Sequence, residues 1–462
     1  MSGALAGLLT EALRPLRHEV ESVDGGSCSA SELLTIAERV RRRLIDSHVR
    51  INEPVLLRIG NRPADLGALL GVWQAGAVAT PVHVTAAPAT VVALLKSTGA
   101  RFVVDSDQFE VGGDVAPPDR PLLQGAALII FTSGSTGQPK GAVLSHERFS
   151  SKLAALGRLL KLRAGDAVLL PLQLTFSFGM WVALLALHSG ARLILVPKFS
   201  SNAVARGLGA GATVLAGVPS MYRTLLADPA FAMPGLRLLM TGGEVLPRPL
   251  ALALRRAAPD AALYDLFGLT ETGTCDFVLG PTDQPDGFGS IGAPTEQVEY
   301  RIDTGELQIR TPFAMLGYLD NPELTASSFQ NGYFKTGDLA QLNPDGRVEL
   351  IGRAKEIISR GGNKIAPLEI DNLICEHPDV AAALCAGVPD ERLGETIHAV
   401  VVPRAGTSVA PDQLRQWLLA RTERYKVPDR IYVSDALPAG STGKADRRAV
   451  AMLAQRGKPL AR

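Results

Sequence analysis

Lys140 ends a run of small hydroxylated residues and glycines, Thr132-Ser-Gly-Ser-Thr-Gly-Gln-Pro-Lys140, that follows the apolar segment 126–131. Glycines let a chain turn tightly and bring its N–H groups close to an anion. Ser133, Ser135 and Thr136 add hydroxyl donors, Gly134 and Gly137 supply the bends, and Lys140 adds a point charge. Residue types in that order read as a cradle for a polyphosphate. A Gly/Ser surface loop is the bland alternative. The lysine and the buried strand expected before the turn, taken as parallel to its neighbours, count against it.

The turn departs from the phosphate loop of kinases and P-loop ATPases. That loop needs a glycine directly before its lysine and a Ser or Thr directly after it. Here Pro139 precedes Lys140 and Gly141 follows it, so no adjacent hydroxyl can hold magnesium. A metal ligand must come from elsewhere, and kinase chemistry is disfavoured. Other stretches carry candidate groups. Tyr264-Asp-Leu-Phe-Gly-Leu-Thr-Glu-Thr272 and Tyr333-Phe-Lys-Thr-Gly-Asp338 offer carboxylates. Leu437-Pro-Ala-Gly-Ser-Thr-Gly-Lys444 offers a second lysine, on an unencumbered glycine loop. Segment 172–181, Leu-Gln-Leu-Thr-Phe-Ser-Phe-Gly-Met-Trp, is apolar and aromatic, and no acid lies between Leu172 and Leu187.

These groups need a scaffold that alternates strands and helices. Residues 54–59, 76–81 and 101–104 read as strands, with helices at 64–74 and 91–98 between them. After a polar connection at 107–120 and the turn, helices are expected at 147–162, 180–188, 203–208 and 221–226, the last capped by Ser220. Strands are expected between them at 167–170, 192–196, 213–218, 236–240 and 262–266. The pattern argues for parallel sheets covered by helices. Around Thr304-Gly305 it shifts to a small antiparallel, barrel-like part. Beyond Arg353 about a hundred residues suit a compact α+β unit. The expected division is 1–353 for a large N-terminal domain and 354–462 for a small, mobile C-terminal one.

Composition narrows the partners. A 46% hydrophobic share over 462 residues supports large cores, and a formal charge of +1 gives no general attraction for nucleic acid or anionic membrane. The first 22 residues read as an amphipathic helix rather than a signal peptide. No apolar run approaches the length of a membrane span. Cys28, Cys275, Cys375 and Cys385 are scattered without metal-ligand spacing, and a reducing cytoplasm is the expectation.

The motifs in this order resemble the adenylate-forming superfamily: acyl- and aryl-CoA synthetases, luciferases and adenylation domains. The resemblance runs over nearly the whole chain, which is shorter than most members between Gly99 and Leu128. It implies an enzyme that joins a carboxylate to the α-phosphate of ATP, releases pyrophosphate, and passes the acyl group to a thiol. ATP, magnesium and CoA are the implied cofactors, with the phosphopantetheine of a carrier protein as the alternative acceptor. A non-catalytic nucleotide-binding protein is a further reading. The implied partners are a small carboxylic acid and CoA or a carrier protein, with room left for a homodimer.

Residue by residue, the resemblance gives Lys444, Thr136 and Glu271 as catalytic groups, with Glu271 also the magnesium ligand. Lys444 would bridge the carboxylate and the α-phosphate. Gly243 and Glu244 would border the nucleotide, as would Asp265, Leu266, Phe267 and Gly268. Asp265 would meet the adenine amino group, Phe267 would stack on the ring, and Thr270 would lie near the α-phosphate. Asp338 would accept from the ribose hydroxyls, with Arg353 beside it. Phe176, Ser177, Phe178, Gly179, Met180, Gly217, Val218 and Gly242 would line the acyl pocket, with Trp181 as an added aromatic. Lys355 would be the hinge, and Gly361 and Gly362 would line a pantetheine slot. Thr175-Phe176 replaces the aromatic–histidine pair of many ligases. Without an acid in the pocket segment an α-ammonium would be left unpaired, which disfavours an α-amino acid.

Overall fold

The computed structural model describes residues 3–106, 108–112, 117–132, 139–228, 230–438 and 445–456. Among them the N-terminal part builds two large sheets. The first has nine strands, in the order Ala293–Pro294, Phe277–Leu279, Ala262–Phe267, Leu238–Gly242, Val214–Gly217, Ala167–Leu170, Arg192–Leu195, Val20–Ser22 and Ser27–Cys28. The second has seven, in the order Gly317–Tyr318, Lys140–Ser145, Ala126–Thr132, Val78–His83, Pro54–Ile59, Phe102–Val104 and Phe109–Val111. The middle of each is parallel and the outer pairings are antiparallel.

The largest core gathers Val168, Leu170, Ala216 and Met240 of the first sheet with Leu57, Ala79, Leu128 and Ile130 of the second. Helices Ala4–Leu13, Ala30–Asp46, Pro63–Gln74, His146–Leu160 and Ser177–His188 fill this layer. Ser29 starts the second of them with a reciprocal cap: its Oγ accepts from Glu32 N, and Glu32 Oε2 accepts from Ser29 N at 2.7 Å. Gly67 and Gly71 let the third helix press on the second. A Cβ at Gly71 would stand 2.5 Å from the Ala37 carbonyl oxygen. A second core covers the opposite face of the nine-stranded sheet with Val204, Leu225, Leu250 and Leu254. Helices on both faces make this a doubly wound α/β arrangement.

The antiparallel part is a five-stranded sheet, Glu299–Asp303, Glu306–Arg310, Phe329–Gln330, Tyr333–Leu342 and Val348–Arg353, and its described pairings form an open sheet rather than a closed barrel. The C-terminal part pairs Ile358–Arg360, Asn363–Ile365, Val380–Asp390, Gly394–Pro403 and Arg430–Val433 around a core of Ile370, Ile374, Ile397, Val401, Leu414 and Leu418.

Several expectations need correction. The strand before the glycine-rich turn is not purely parallel. It runs parallel to Val78–His83 but antiparallel to Lys140–Ser145, so the turn joins a hairpin and not a strand to a helix. The reason lies in Ala142-Val-Leu144, an apolar run buried in the sheet. A short strand, Phe109–Val111, occupies the connection read as polar. Helix Arg248–Ala257 was missing from the reading, although Leu250, Ala251 and Leu254 have helical spacing and are buried. Ser220 does not cap the helix Pro219–Leu226. It lies inside it, and its hydroxyl donates to Glu244 Oε1 at 2.8 Å.

The order of strands places the site. After Ala167–Leu170 the chain adds Arg192–Leu195 on one side and Val214–Gly217 on the other. The crevice at the C-terminal ends of such diverging strands is where open α/β sheets bind ligands. Asn61 sets the segment that leaves Ala167–Leu170. Wholly buried, it donates from Nδ2 to the Leu172 carbonyl at 2.8 Å and accepts at Oδ1 from Leu174 N at 2.9 Å. Asn61→Ala should leave both backbone groups unpartnered and destabilise the fold by about 2 kcal/mol. A lower urea midpoint is the expected readout, and an unchanged midpoint would remove Asn61 from this role.

Candidate active site

The ends of the glycine-rich turn are Thr132 and Lys140, facing each other across the hairpin. Ser133, Gly134, Ser135, Thr136 and Gly137 lie outside the described residues, as does Lys444. Glu271 stands in the turn that follows the strand Ala262–Phe267 of the other sheet. Its Oε1 accepts from Thr132 Oγ1 at 3.1 Å and from the Tyr318 hydroxyl at 3.1 Å. Lys140 Nζ lies 5.4 Å from the centre of the Tyr318 ring, within cation–π range. Burial and the adjacent Glu271 carboxylate push the Tyr318 phenol upward, so it stays protonated and donates. Glu271 is nearly buried, and both of these hydrogen bonds end on one oxygen. The other oxygen suits a hard cation that completes its shell with phosphate oxygens and waters. Among the described residues no cluster of three or more His, Cys, Asp or Glu could hold a metal by itself. A single carboxylate fits magnesium held mainly by a triphosphate.

The adenine-side motif runs along Ala262–Phe267 beside Leu238–Gly242, with Asp265 in register with Thr241 and Leu266 with Gly242. Asp265 reaches solvent at one side, but apolar neighbours desolvate it and push its carboxyl up to about 7 against the donation of Leu266 N–H. Phe267 is half-buried and packs edge-on against Phe277, with ring centres 6.1 Å apart. Gly268 allows the returning chain to pass close by: a Cβ there would stand 2.2 Å from Cys275 N. Gly243 has a φ of +80°, which suits glycine. The Glu244 carboxylate pairs with Ser220 and with Arg223 Nη2 at 3.2 Å, so it is already bound to helix Pro219–Leu226.

Asp338 is buried. Its Oδ1 takes Arg353 Nε at 2.8 Å, and its Oδ2 has no hydrogen-bond partner among the described residues. Burial pushes this carboxyl above its ordinary range against the pull of Arg353. An orphaned acceptor beside a bound arginine fits a pair of ribose hydroxyls. Lys355 follows in the short turn Ala354–Glu356, and burial lowers its ammonium. Arg447, three residues beyond Lys444, donates to Glu356 Oε2 at 3.0 Å and to the Cys385 carbonyl at 2.7 Å, and meets Asp371 Oδ2 at 2.6 Å. The start of the last helix is thus tied to the turn that holds Lys355. Gly361 and Gly362, with φ of +55° and +84°, make the tight turn between Ile358–Arg360 and Asn363–Ile365.

The acyl segment enters helix Ser177–His188. Ser177 Oγ lies 3.0 Å from Thr270 Oγ1, which joins this segment to the adenine motif. Phe178 stacks on Trp181 with ring centres 5.5 Å apart and lies close to Gly242, where a Cβ would stand 3.4 Å from its ring. Phe176 is half-buried. Met180 and Trp181 are core residues with essentially no exposure, and the Trp181 indole N–H has no partner among the described residues. Gly179 presses on the Gln173 carbonyl, Gly217 on the Tyr222 ring, and Val218 is buried beside them. Cys275 and Asp276 are both buried behind the Glu271 turn, with burial pushing the Cys275 thiol up to about 12 and the Asp276 carboxyl up to about 6.

The chain belongs to the AMP-binding enzyme family. The family so described matches residues 12–113 and 106–319, and its C-terminal domain matches 369–444. The chain is 32% identical to a feruloyl-CoA synthase of Amycolatopsis sp. over 460 residues, covering 91% of this chain and 92% of that one. It is 33% identical to an indoleacetate–CoA ligase of Aromatoleum aromaticum, covering 75% and 71%. The fold superposes on ATP-bound MatB from Rhodopseudomonas palustris with a TM-score of 0.86 at 24% identity, covering 99% of each chain.

Tyr318 was not legible beforehand, because it sits in a two-residue strand with no motif around it. Tyr318→Phe keeps the ring under Lys140 but removes one donor to Glu271. Acid-dependent pyrophosphate exchange should fall about tenfold, the loss of one hydrogen bond to a charged group. Unchanged exchange would mean that Tyr318 is only a packing residue.

Proposed function

We propose that this chain is an AMP-forming acid–thiol ligase that activates an aryl or apolar acyl acid and delivers it to CoA. A carboxylate oxygen attacks the α-phosphorus of ATP, and the bond to the bridging oxygen breaks to release pyrophosphate. A thiolate sulfur then attacks the acyl carbon and AMP leaves. Two anions must approach for the first step, so the site has to neutralise charge and align the attack, and it need not supply a covalent nucleophile. The observation that carries this reading is the meeting of Thr132, Lys140 and Tyr318 of one sheet with Glu271, which follows a strand of the other.

Lys140 and the donors of residues 133–137 would hold the β- and γ-phosphates. Glu271 would hold magnesium, which supplies further neutralisation of the triphosphate. Asp338 would bind the ribose through its orphaned oxygen, and Asp265 to Gly268 with Gly243 would bound the adenine. Lys444 would bridge the carboxylate and the α-phosphate. The small C-terminal unit, taken as residues 354–462, would turn about Lys355 between the two steps, placing Gly361 and Gly362 against the pantetheine arm.

The pocket segment 172–187 holds no acid, and Glu244 is already paired with Arg223, which supports an acid without an α-ammonium. The named relatives act with CoA, which favours it over a carrier protein as acceptor. Among the described residues no helix is long and apolar enough to cross a membrane.

A panel of aryl and acyl acids, assayed by ATP–pyrophosphate exchange and then by thioester formation with CoA or a holo-carrier protein, tests the reading. Lys444→Ala should abolish exchange while supplied acyl-adenylate still reacts with CoA. Exchange at wild-type rate in that variant would refute the assignment.

A further inference from the structure

The turn that carries Glu271 is an improbable shape for its residues. Gly273, Thr274 and Cys275 are three consecutive residues with left-handed backbones, at φ of +85°, +72° and +48°. Only the first is a glycine, and the other two pay a steric penalty there. Local contacts alone do not choose such a turn.

Two buried charges hold it. Lys152, 1% exposed, donates from Nζ to the Cys275 carbonyl at 2.7 Å, and Thr295 Oγ1 donates to the same oxygen at 2.9 Å. Asp276, fully buried, accepts at Oδ2 from the Thr272 hydroxyl and from Leu269 N at 3.4 Å. Thr272 is the immediate neighbour of Glu271, so the carboxylate of Asp276 grips the turn from within. Leaving an ammonium and a carboxylate in a core is costly, and stability alone favours apolar residues there.

The helix that supplies Lys152 has a second hold. His146–Leu160 follows directly on the strand Lys140–Ser145. Its Arg148 donates to the Ala314 and Met315 carbonyls at 2.7 and 2.9 Å, and Met315 N in turn donates to the Glu271 carbonyl at 2.8 Å. One continuous segment therefore carries Lys140, then Arg148, which holds the Met315 segment that bonds the Glu271 backbone, then Lys152, which bonds the Cys275 carbonyl.

We propose that Lys152 and Asp276 are positioning residues for Glu271: they hold its strained turn so that the carboxylate meets Thr132, Tyr318 and the cation of the bound triphosphate. This rests on the reading of Glu271 as the cation ligand. Neither residue touches substrate. Loosening the turn therefore weakens cation binding and leaves the acyl pocket and the thiol step intact.

The test uses the full chain as Lys152→Met, Asp276→Asn and the milder Thr295→Val, each checked by thermal melting. Mn2+ binding in the presence of ATP is read by electron paramagnetic resonance, alongside the magnesium dependence of exchange and the reaction of supplied acyl-adenylate with CoA. Lys152→Met and Asp276→Asn should weaken Mn2+ binding about tenfold, and Thr295→Val about threefold, as expected for hydrogen bonds to charged or carbonyl groups. The magnesium concentration giving half-maximal exchange should rise in parallel, while the acid KM and the thiol step stay within about twofold. Folded variants with wild-type Mn2+ affinity, or with equal loss in both half-reactions, would overturn the proposal. If the two charge variants do not fold, Thr295→Val decides by the same readouts. Wild-type protein that binds no Mn2+ with ATP, or shows no acid-dependent exchange, would instead sink the reading of Glu271 itself.

Discussion

One buried carboxylate joins the two halves of the large N-terminal part. Glu271 comes from the nine-stranded sheet, and the hydroxyls that reach it, Thr132 and Tyr318, belong to the seven-stranded sheet. An acid in a nearly dry position is tolerated when donors and a cation meet it. The two sheets approach with this carboxylate between them, and the same contact holds Thr132, the last described residue before the glycine-rich stretch. A negative group beside a triphosphate is counterproductive unless a cation mediates. On the proposed function, the carboxylate would meet the triphosphate through a bound cation.

The rest of the site follows from sheet topology. Strands diverge beside Ala167–Leu170, and the segment leaving it is pinned by Asn61 and then by the Ser177–Thr270 contact. That brings the aromatic segment 176–181 next to Gly242 and Thr270 without any residue having to reach far. Small residues finish the shape: Gly179, Gly242 and Gly268 stand where a methyl group would strike backbone. Two charged pairs of the candidate site, Arg353–Asp338 and Arg223–Glu244, hold their carboxylates largely out of solvent.

Much of this was readable from residue types because the chemistry is carried by motifs with fixed spacing. The alternation of strands and helices and the apolar character of segment 172–181 are local properties. The failures are equally physical. Strand Lys140–Ser145 went unread because Ala142-Val-Leu144 is too short an apolar run to show a period. Helix Arg248–Ala257, rich in arginine and alanine, was overlooked although its leucines face the core. Tyr318 and Lys152 act on Glu271 from 47 and 119 positions away in the chain, and no local pattern announces such contacts. Met180 and Trp181 read as pocket-lining side chains but pack as core, since periodicity cannot separate a cavity wall from the layer behind it.

The central claim is that the carboxylate of the acid attacks the α-phosphorus of ATP, and oxygen labelling tests it most directly. With an accepted acid labelled with 18O in its carboxylate, turnover in the presence of CoA should leave one labelled oxygen in AMP and none in pyrophosphate. Label in inorganic phosphate with ADP as the other product, or AMP without label, would contradict the account.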